Sequence, residues 1–416
     1  MADLAARHIV SRQGERLKLL VDAVSGIPLY YPNLYITSQI RGGAKSVATI
    51  QSFITSMKVL YSWCDEYSID VDGRWSRGEW LKVWEIDSLR DHCSLALKGN
   101  SVIPKKVVGI QHRRERAQES VESPTKYVRM TYIADYLKWL AQMVGSGRLV
   151  EGDKSGVDTM YKSIKAHRPK KKGRADVARE DKGLDPELLI KVLDVSKPGH
   201  ENNPYSDYAV QVRNASIIAL LYYLGIRRGE LLNLRVDDID FVSNEIRIVR
   251  RADASLDKRV YQPLVKTEER ILPINDKLAQ RLSEYVTQTR AKYPRARRHP
   301  YLFVTHKQGP YQGEALSNSG FGKLMLALQS AVESFAQVHA HAFRHSWNYS
   351  FSKILDQSEG KHSPEKEEQM RSYLMGWKEA SGTAATYNRR HIKEKAKEAI
   401  IGFQDSIGAK REVSDE

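Results

Sequence analysis

A short basic segment near the middle of the chain limits how the rest can fold. Between Lys162 and Arg179 there are eight lysines and arginines against one acid, Asp176, which is a local charge of +7. Pro169 and Gly173 interrupt regular structure there, so we expect the segment to be extended. Because 416 residues exceed what one hydrophobic core usually organises, the sequence predicts two domains joined by this linker.

The charge of the whole chain agrees with the charge of the linker. Lys and Arg total 66 against 51 Asp and Glu, which gives a net charge of +15 and an isoelectric point near 9.5. Solubility alone does not require clustered charge. A segment that follows a phosphate backbone benefits from it, because each phosphate that it neutralises releases a counterion. These observations favour a nucleic acid as the partner.

Two basic stretches supply the candidate contacts to nucleic acid. One is the linker, and the other is a loop from Pro104 to Arg116 with five cations and one acid. The residues predicted to bind DNA are Lys105, Lys106, Arg113, Arg114, Lys170, Lys171, Lys172 and Arg174.

The sequence offers no disulfide framework, metal site or membrane segment. Cys64 and Cys93 have no zinc-ligand spacing, and the histidines of 339–345 have no carboxylate or cysteine at such spacing. The N-terminus lacks an apolar signal core, and the apolar run from Ile217 to Ile226 is about half a membrane span. We therefore expect a cytoplasmic, nucleoid-associated protein that has no membrane partner.

Apolar periodicity predicts a chain that is mostly helical. In residues 1–43 we expect a basic helix-like piece, followed by a region where prolines prevent a continuous helix. Apolar residues at three- and four-residue spacing predict helices from Ser46 onward, over Trp80–Ala96 and over Thr131–Met143. These helices would form a small all-helical domain.

Beyond the linker the pattern changes to helices mixed with a small antiparallel sheet. Asp185 followed by proline is a helix start, and Asn214–Leu224 is a strongly apolar helix. Glu245–Arg250 and Arg270–Ile274 alternate like strands, with Arg259–Val265 between them. The predicted divisions are an N-terminal appendage at 1–43, a helical domain at 44–165, a linker at 166–182, a C-terminal domain at 183–405 and a polar tail at 406–416.

Five short segments of the C-terminal half carry side chains suited to phosphoryl transfer. Together they supply two guanidiniums, an ammonium, an imidazole, an indole N–H and a phenol. Such a set could let a tyrosine attack a phosphodiester while cations hold the developing charge. The segments are Gly-Ile-Arg-Arg-Gly-Glu-Leu (225–231), Lys-Thr-Glu-Glu-Arg-Ile-Leu-Pro-Ile (266–274), His-Ala-Phe-Arg-His (341–345), Leu-Met-Gly-Trp (374–377) and Ala-Thr-Tyr-Asn-Arg-Arg (385–390).

In their order and local sequence these segments resemble the motifs of the tyrosine recombinase (phage integrase) family, and the resemblance extends over roughly Gly183–Phe403. The resemblance implies an all-helical core-binding domain that precedes an α+β catalytic domain, both closing around duplex DNA. It implies a bacterial site-specific recombinase or integrase that cleaves and rejoins strands through a 3′-phosphotyrosyl intermediate, without metal, ATP or cofactor. The implied partners are recombination sites, three further copies in a tetramer on synapsed DNA (monomer or dimer off DNA), and accessory DNA-bending or directionality proteins.

The resemblance gives Tyr387 the role of nucleophile. A phenol has a pKa of about 10, so it needs nearby cations to favour its phenolate form. Arg227 and Arg344 would bind the non-bridging phosphate oxygens through their forks of donors. Arg228 remains an alternative to Arg227, and Glu230 would brace the arginine pair or a neighbouring helix.

Three further residues complete the set that the resemblance implies. Lys266 would donate a proton to the leaving 5′-oxygen, with Lys258 as its rival. His341 lies on the same predicted helical face as Arg344 and would act as a base or as a hydrogen-bond donor. Trp377 stands where many members have histidine, and its indole N–H can donate but cannot titrate.

Two other classes of protein remain to be distinguished. A type IB topoisomerase or telomere resolvase uses a nearly identical set of residues, but the helical domain and the chain length fit a recombinase better. A catalytically silent DNA-binding regulator is disfavoured because every catalytic position is filled. Ile392–Phe403 has the pattern of an amphipathic helix, which by resemblance would dock onto a neighbouring protomer.

Overall fold

A computed structural model describes residues 3–43, 46–97, 120–144, 151–170, 183–357, 363–378, 396 and 399–403. The chain divides into two compact units. The N-terminal unit comprises residues 1–11 and 15–172, and the C-terminal unit comprises 12–14 and 173–416.

The N-terminal unit begins with a β-hairpin, so the helix-like piece predicted within residues 1–43 is wrong. Strands β1 (Leu4–Val10) and β2 (Arg16–Asp22) pair antiparallel. Arg16, Lys18 and Leu20 are buried at a period of two, which is the pattern of a strand. The prediction fails because it treats the basic residues as solvent-facing. Lys18 instead faces inward, where its ammonium donates to the side-chain oxygen of Gln51.

The helices of this unit follow the predicted apolar spacing. Ser46 caps the first long helix by accepting a hydrogen bond from the Thr49 N–H at 3.4 Å. The core of the N-terminal unit is aromatic and includes the fully buried Trp63, Trp75 and Tyr136. Leu20 of the hairpin belongs to the same core. The helices are α1 (Tyr30–Tyr35), a π-turn (Ile36–Arg41), α2 (Val47–Glu66), α3 (Val71–Ser76), α4 (Val83–His92), α5 (Ser123–Val144) and α6 (Glu151–Ala166).

The C-terminal unit combines a three-stranded antiparallel sheet with helices. This confirms the predicted mainly helical fold with a small antiparallel sheet. Asp185 caps the first helix by accepting from the Glu187 N–H at 2.8 Å, and Pro186 begins it. The strands are β3 (Ile239–Asp240), β4 (Glu245–Ile248) and β5 (Arg270–Pro273), in the order β3–β4–β5. The helices are α7 (Pro186–Val195), α8 (Tyr208–Leu224), α9 (Arg228–Asn233), α10 (Asp276–Glu284), α11 (Asn318–Ala331), α12 (Ala340–Gln357) and α13 (Pro364–Met375).

The segment Arg259–Val265 is not a strand, contrary to the prediction. The buried guanidinium of Arg259 donates to the backbone oxygens of Leu232 and Leu316, both at 2.9 Å, and pairs with Asp257. Pro263 has no backbone N–H for a ladder. The segment is therefore held by side-chain bonds to α9 and to the residue Leu316 before α11, instead of by pairing with the sheet.

The central helix α8 fixes the position of the predicted site. Its residues from Ile217 to Leu221 are at most 1% exposed, so this part of the helix is buried on every side. It ends at Gly225, whose φ of +57° is left-handed. No helix of the described ranges is long and apolar enough to cross a membrane.

Candidate active site

Gly225 sets the turn that presents the first arginine motif. A Cβ at this position would lie 2.9 Å from Cγ of Trp347, and the left-handed φ also favours glycine. The next turn begins α9, where the Arg227 N–H donates to Oε2 of Glu230 at 3.0 Å. This bond fixes the backbone of Arg227, while its side chain remains 31% exposed. Arg227 is thus anchored through its backbone, and its side chain is half-buried.

The two arginines of this motif have different surroundings. Nη1 of Arg227 lies 3.7 Å from Oε1 of Glu230. Arg228 is exposed and lines a cavity of 1040 Å³ together with Lys258, the rival of Lys266. The side chain of Lys258 is 73% exposed and lies 3.7 Å from Glu314. The geometry therefore favours Arg227 as the arginine that belongs to the cluster around Glu230.

Glu230 is the buried centre of that cluster. It accepts from Nη2 of Arg270 at 2.9 Å and from Oγ1 of Thr267 at 2.5 Å, and it is 1% exposed. Burial raises the pKa of the Glu230 carboxyl, but Arg270, then Arg344 and the Thr267 hydrogen bond, outweigh burial and leave the pKa lowered. The carboxylate is consequently ionised at neutral pH and ties α9 to the start of β5.

Arg270 is the partner that sequence reasoning missed. The segment 266–274 is one of the five motifs, but its sequence assigns no role to Arg270. In β5 the residues Arg270 and Leu272 face inward while Ile271 faces outward. An arginine in the inward register of a short strand is the signal that could have identified a buried ion pair.

Arg344 joins two motifs that are far apart in sequence. It lies on α12, is 1% exposed, and donates from Nη1 to the Gly225 oxygen at 2.9 Å and from Nη2 to the Met375 oxygen at 2.8 Å. The carbon of its guanidinium lies 5.4 Å from the centre of the Trp377 ring. The buried guanidinium therefore holds the turn before Arg227 and the turn before Trp377 in one place.

His341 and Trp377 have different exposures. His341 is exposed near the start of α12, and its ring lies 4.4 Å from the ring of His345. Trp377 is 6% exposed, and its backbone N–H donates to the Ser372 oxygen at 2.9 Å. The indole thus contributes to the buried floor of the cluster, whereas the imidazole lies at its solvent side.

Lys266 lies in the connection between β4 and β5, and not in a strand. Its side chain is exposed, and the next residue is the buried Thr267 that bonds Glu230. This connection meets the tryptophan motif, because the Glu268 N–H donates to the Gly376 oxygen at 3.0 Å. A Cβ on Gly376 would lie 2.6 Å from Nη1 of Arg270, so the close approach requires glycine.

Several predicted residues lie outside the described part of the chain. Of the candidate DNA-binding residues only Lys170 is described, and it is exposed. Within the described ranges, no group of three His, Cys, Asp or Glu side chains is placed to hold a metal ion. The residues outside those ranges are Tyr387, Lys105, Lys106, Arg113, Arg114, Lys171, Lys172 and Arg174.

The sequence profile of the phage integrase family matches residues 201–391. That range contains all five motif segments, including the four that Arg344 and Glu230 bring together. Residues 201–391 of the chain form a phage integrase family domain.

Individual relatives of this chain match over a shorter stretch. It is 27% identical over 146 residues to the tyrosine recombinase XerD of Halalkalibacterium halodurans, which covers 35% of this chain and 42% of the relative. It is 25% identical over 141 residues to the tyrosine recombinase XerC of Staphylococcus aureus, which covers 34% of this chain and 40% of the relative. The chain thus spans less than half the length of the curated relatives it matches.

Among solved structures, the XerH site-specific recombinase bound to its difH substrate matches with a TM-score of 0.41 and 14% identity. The match covers 88% of this chain and 93% of that one. In this chain, the described site consists of a buried frame (Glu230, Arg270, Arg344 and Trp377) that carries the half-buried Arg227 and the exposed Lys266 and His341. Such an arrangement can hold an anionic group at its surface while its own charges stay fixed.

Proposed function

We propose that this protein is a site-specific DNA recombinase or integrase that cleaves and rejoins strands through a 3′-phosphotyrosyl intermediate. The observation that carries the proposal is the position of Arg344. Its buried guanidinium bonds the carbonyls two residues before Arg227 and two residues before Trp377. The match of residues 201–391 to the phage integrase family supports the same reaction.

In the proposed reaction, the phenolic oxygen of Tyr387 attacks the phosphorus of a DNA phosphodiester. The new bond joins tyrosine to the 3′-phosphate, and the P–O5′ bond breaks. Arg227 and Arg344 stabilise the charge on the non-bridging oxygens. Lys266 gives a proton to the leaving 5′-oxygen, and His341 accepts the phenolic proton.

The reverse reaction accounts for strand exchange. The 5′-hydroxyl of another strand attacks the phosphotyrosine, releases the tyrosine and restores a phosphodiester. Because the energy of the original bond is kept in the covalent intermediate, the reaction needs no ATP. The cations of the site supply the charge stabilisation that a metal provides in other phosphoryl-transfer enzymes.

We extend the proposal to organisation and partners. Residues 44–165 would form a core-binding domain, 166–182 a linker along the DNA backbone, and 183–405 the catalytic domain. Four copies would assemble on two synapsed sites in the bacterial cytoplasm, at the nucleoid, together with accessory bending or directionality proteins. Ile392–Phe403 would dock on the next protomer, and within it Ile400 and Phe403 are 56% and 65% exposed.

The first test is capture of the intermediate on a nicked suicide substrate in excess EDTA. We expect a covalent protein–DNA adduct that survives denaturing electrophoresis. Cleavage needs no metal, because the cationic side chains of the site stabilise the developing charge. Tyr387→Phe removes only the phenolic oxygen, so it should bind duplex nearly as well and yield no adduct. An adduct formed by this variant at the normal yield, or cleavage that requires Mg²⁺, would contradict the proposal.

The second test concerns the linker. Changing Lys170, Lys171 and Lys172 to alanine should flatten the slope of log K against log salt by up to about three units, since each neutralised phosphate contributes about 0.9. Affinity should fall equally for specific and random duplexes, because phosphate contacts carry no sequence information directly. Fluorescence anisotropy over a salt series gives both quantities.

The control for the linker variant removes the same charge elsewhere in the protein. Lys191, Lys197 and Lys277 are exposed lysines outside the linker, and their change to alanine also lowers the net charge by three. If this variant flattened the slope as much as the linker variant, net charge and not the linker would set the affinity.

A further inference from the structure

Helix α13, which leads into the tryptophan motif, carries an arginine that is completely buried. Arg371 is 0% exposed and donates from Nη1 to the Asn348 oxygen at 2.8 Å and from Nη2 to Oγ of Ser352 at 2.7 Å. It also pairs with Glu367, one turn earlier on its own helix. Its guanidinium lies 5.3 Å from the centre of the Phe351 ring. A single cation thus bonds two residues on consecutive turns of α12.

These bonds connect to Arg344 through one residue. Asn348 is 0% exposed, and its Nδ2 donates to the Arg344 oxygen at 2.8 Å and contacts the sulfur of Met375 at 3.4 Å. Arg344 in turn donates to the Met375 oxygen at 2.8 Å. The contacts therefore form a closed path from Arg371 on α13, through Asn348 and Arg344 on α12, back to Met375 at the end of α13.

We propose that Arg371 is a positioning residue, which fixes α13 against α12 so that Arg344 and the Met375–Trp377 turn keep one relative geometry. The catalytic consequence rests on the proposed recombinase function, but the geometric claim does not. An arginine is required because its planar fork reaches two acceptors at fixed separation, whereas a lysine ammonium is a single point of donation.

The burial of the charge argues for a role in geometry. Removing two charges from water costs about as much as their attraction returns, so a buried ion pair is weak grounds for added stability. Its clearer effect is to restrict the packing to arrangements in which every donor meets an acceptor. Here the acceptors lie four and eight residues beyond Arg344, on the helix that carries it.

The test uses Arg371→Lys and a matched control, Arg290→Lys. Arg290 is also a buried arginine of the C-terminal unit, but it donates to the oxygens of Ala296, His299 and Tyr301, away from the site. A double variant, Glu367→Met with Arg371→Met, removes both charges and leaves no buried ion unpaired. It keeps the proposal testable if the lysine variant folds poorly.

Two measurements on the full-length protein separate positioning from general stability. Amide hydrogen exchange, which needs no DNA, should become about tenfold faster for the 372–378 and 266–270 segments in both Arg371 variants, but not in Arg290→Lys. Adduct formation on the suicide substrate should slow by about 10²-fold at unchanged duplex affinity, as expected when reacting groups are displaced by about 1 Å. The control should keep the wild-type rate.

Each outcome decides one claim. Unchanged exchange in those segments in both Arg371 variants would overturn the positioning role. An equal loss of rate in Arg290→Lys at an equal fall in Tm would overturn it too, since the effect would then be general. If the wild-type protein forms no adduct while the exchange pattern appears as expected, the proposed reaction fails and the positioning of α13 stands.

Discussion

Replacing Arg344 by lysine should slow covalent adduct formation by about 10²–10³-fold, which is the loss typical of removing one donor that stabilises a transition-state charge. Two of the guanidinium nitrogens hold the carbonyls of Gly225 and Met375. A lysine ammonium cannot reach both carbonyls and a phosphate, and it would leave a buried acceptor without a partner. The rate is measured in single turnover at saturating protein, so that any loss of affinity does not enter.

Two neighbouring arginines provide the comparison for this experiment. Arg227→Lys should also slow the adduct, whereas Arg228→Lys should not, because Arg228 lines a different cavity from the Glu230 cluster. The Tm of each variant should be recorded, because Arg344 is also a structural bond. A normal rate in Arg344→Lys, or a slow rate confined to Arg228→Lys, would show that the clamp is assigned to the wrong side chains.

The choice between Arg227 and Arg228 shows where sequence reasoning reaches its limit. Adjacent arginines have the same charge and the same pattern context, so periodicity cannot separate them. What separates them is the left-handed turn at Gly225 and the bond from the Arg227 N–H to Glu230, which aim the two side chains differently. The helix start at Asp185 was easier, because a cap followed by proline is a local signal.

The errors in the fold have a common cause. In the hairpin 4–22 and in the segment 259–265, charged residues point inward and find partners that are distant in sequence: Lys18 with Gln51, and Arg259 with Leu232 and Leu316. A pattern that treats every charge as solvent-facing misreads such segments. The same reasoning explains why Arg270 and Arg371 had no predicted role, since each is defined by acceptors on other elements.

The largest loss of stability is expected for Glu230→Gln. The side chains of Glu230 and Arg270 are 0% and 1% exposed, so the substitution leaves a buried guanidinium without its counter-charge. Breaking such a pair from one side typically costs about 3–5 kcal/mol. Urea unfolding at neutral pH measures the loss. The matched control, Glu230→Met with Arg270→Met, removes both charges and should recover most of the stability.

The pH dependence gives the same interaction a second signature. The pKa of Glu230 in the folded protein is below its usual value of 4.5. The folded state therefore binds fewer protons than the unfolded state, and the stabilisation is complete above the usual pKa and is lost as the pH falls through the folded pKa. The difference in unfolding free energy between wild type and Glu230→Gln should consequently be constant near neutral pH and should shrink below 4.5. A gap that widens with acidification would mean that Glu230 is protonated in the folded protein, and Arg270 would then need another counter-charge.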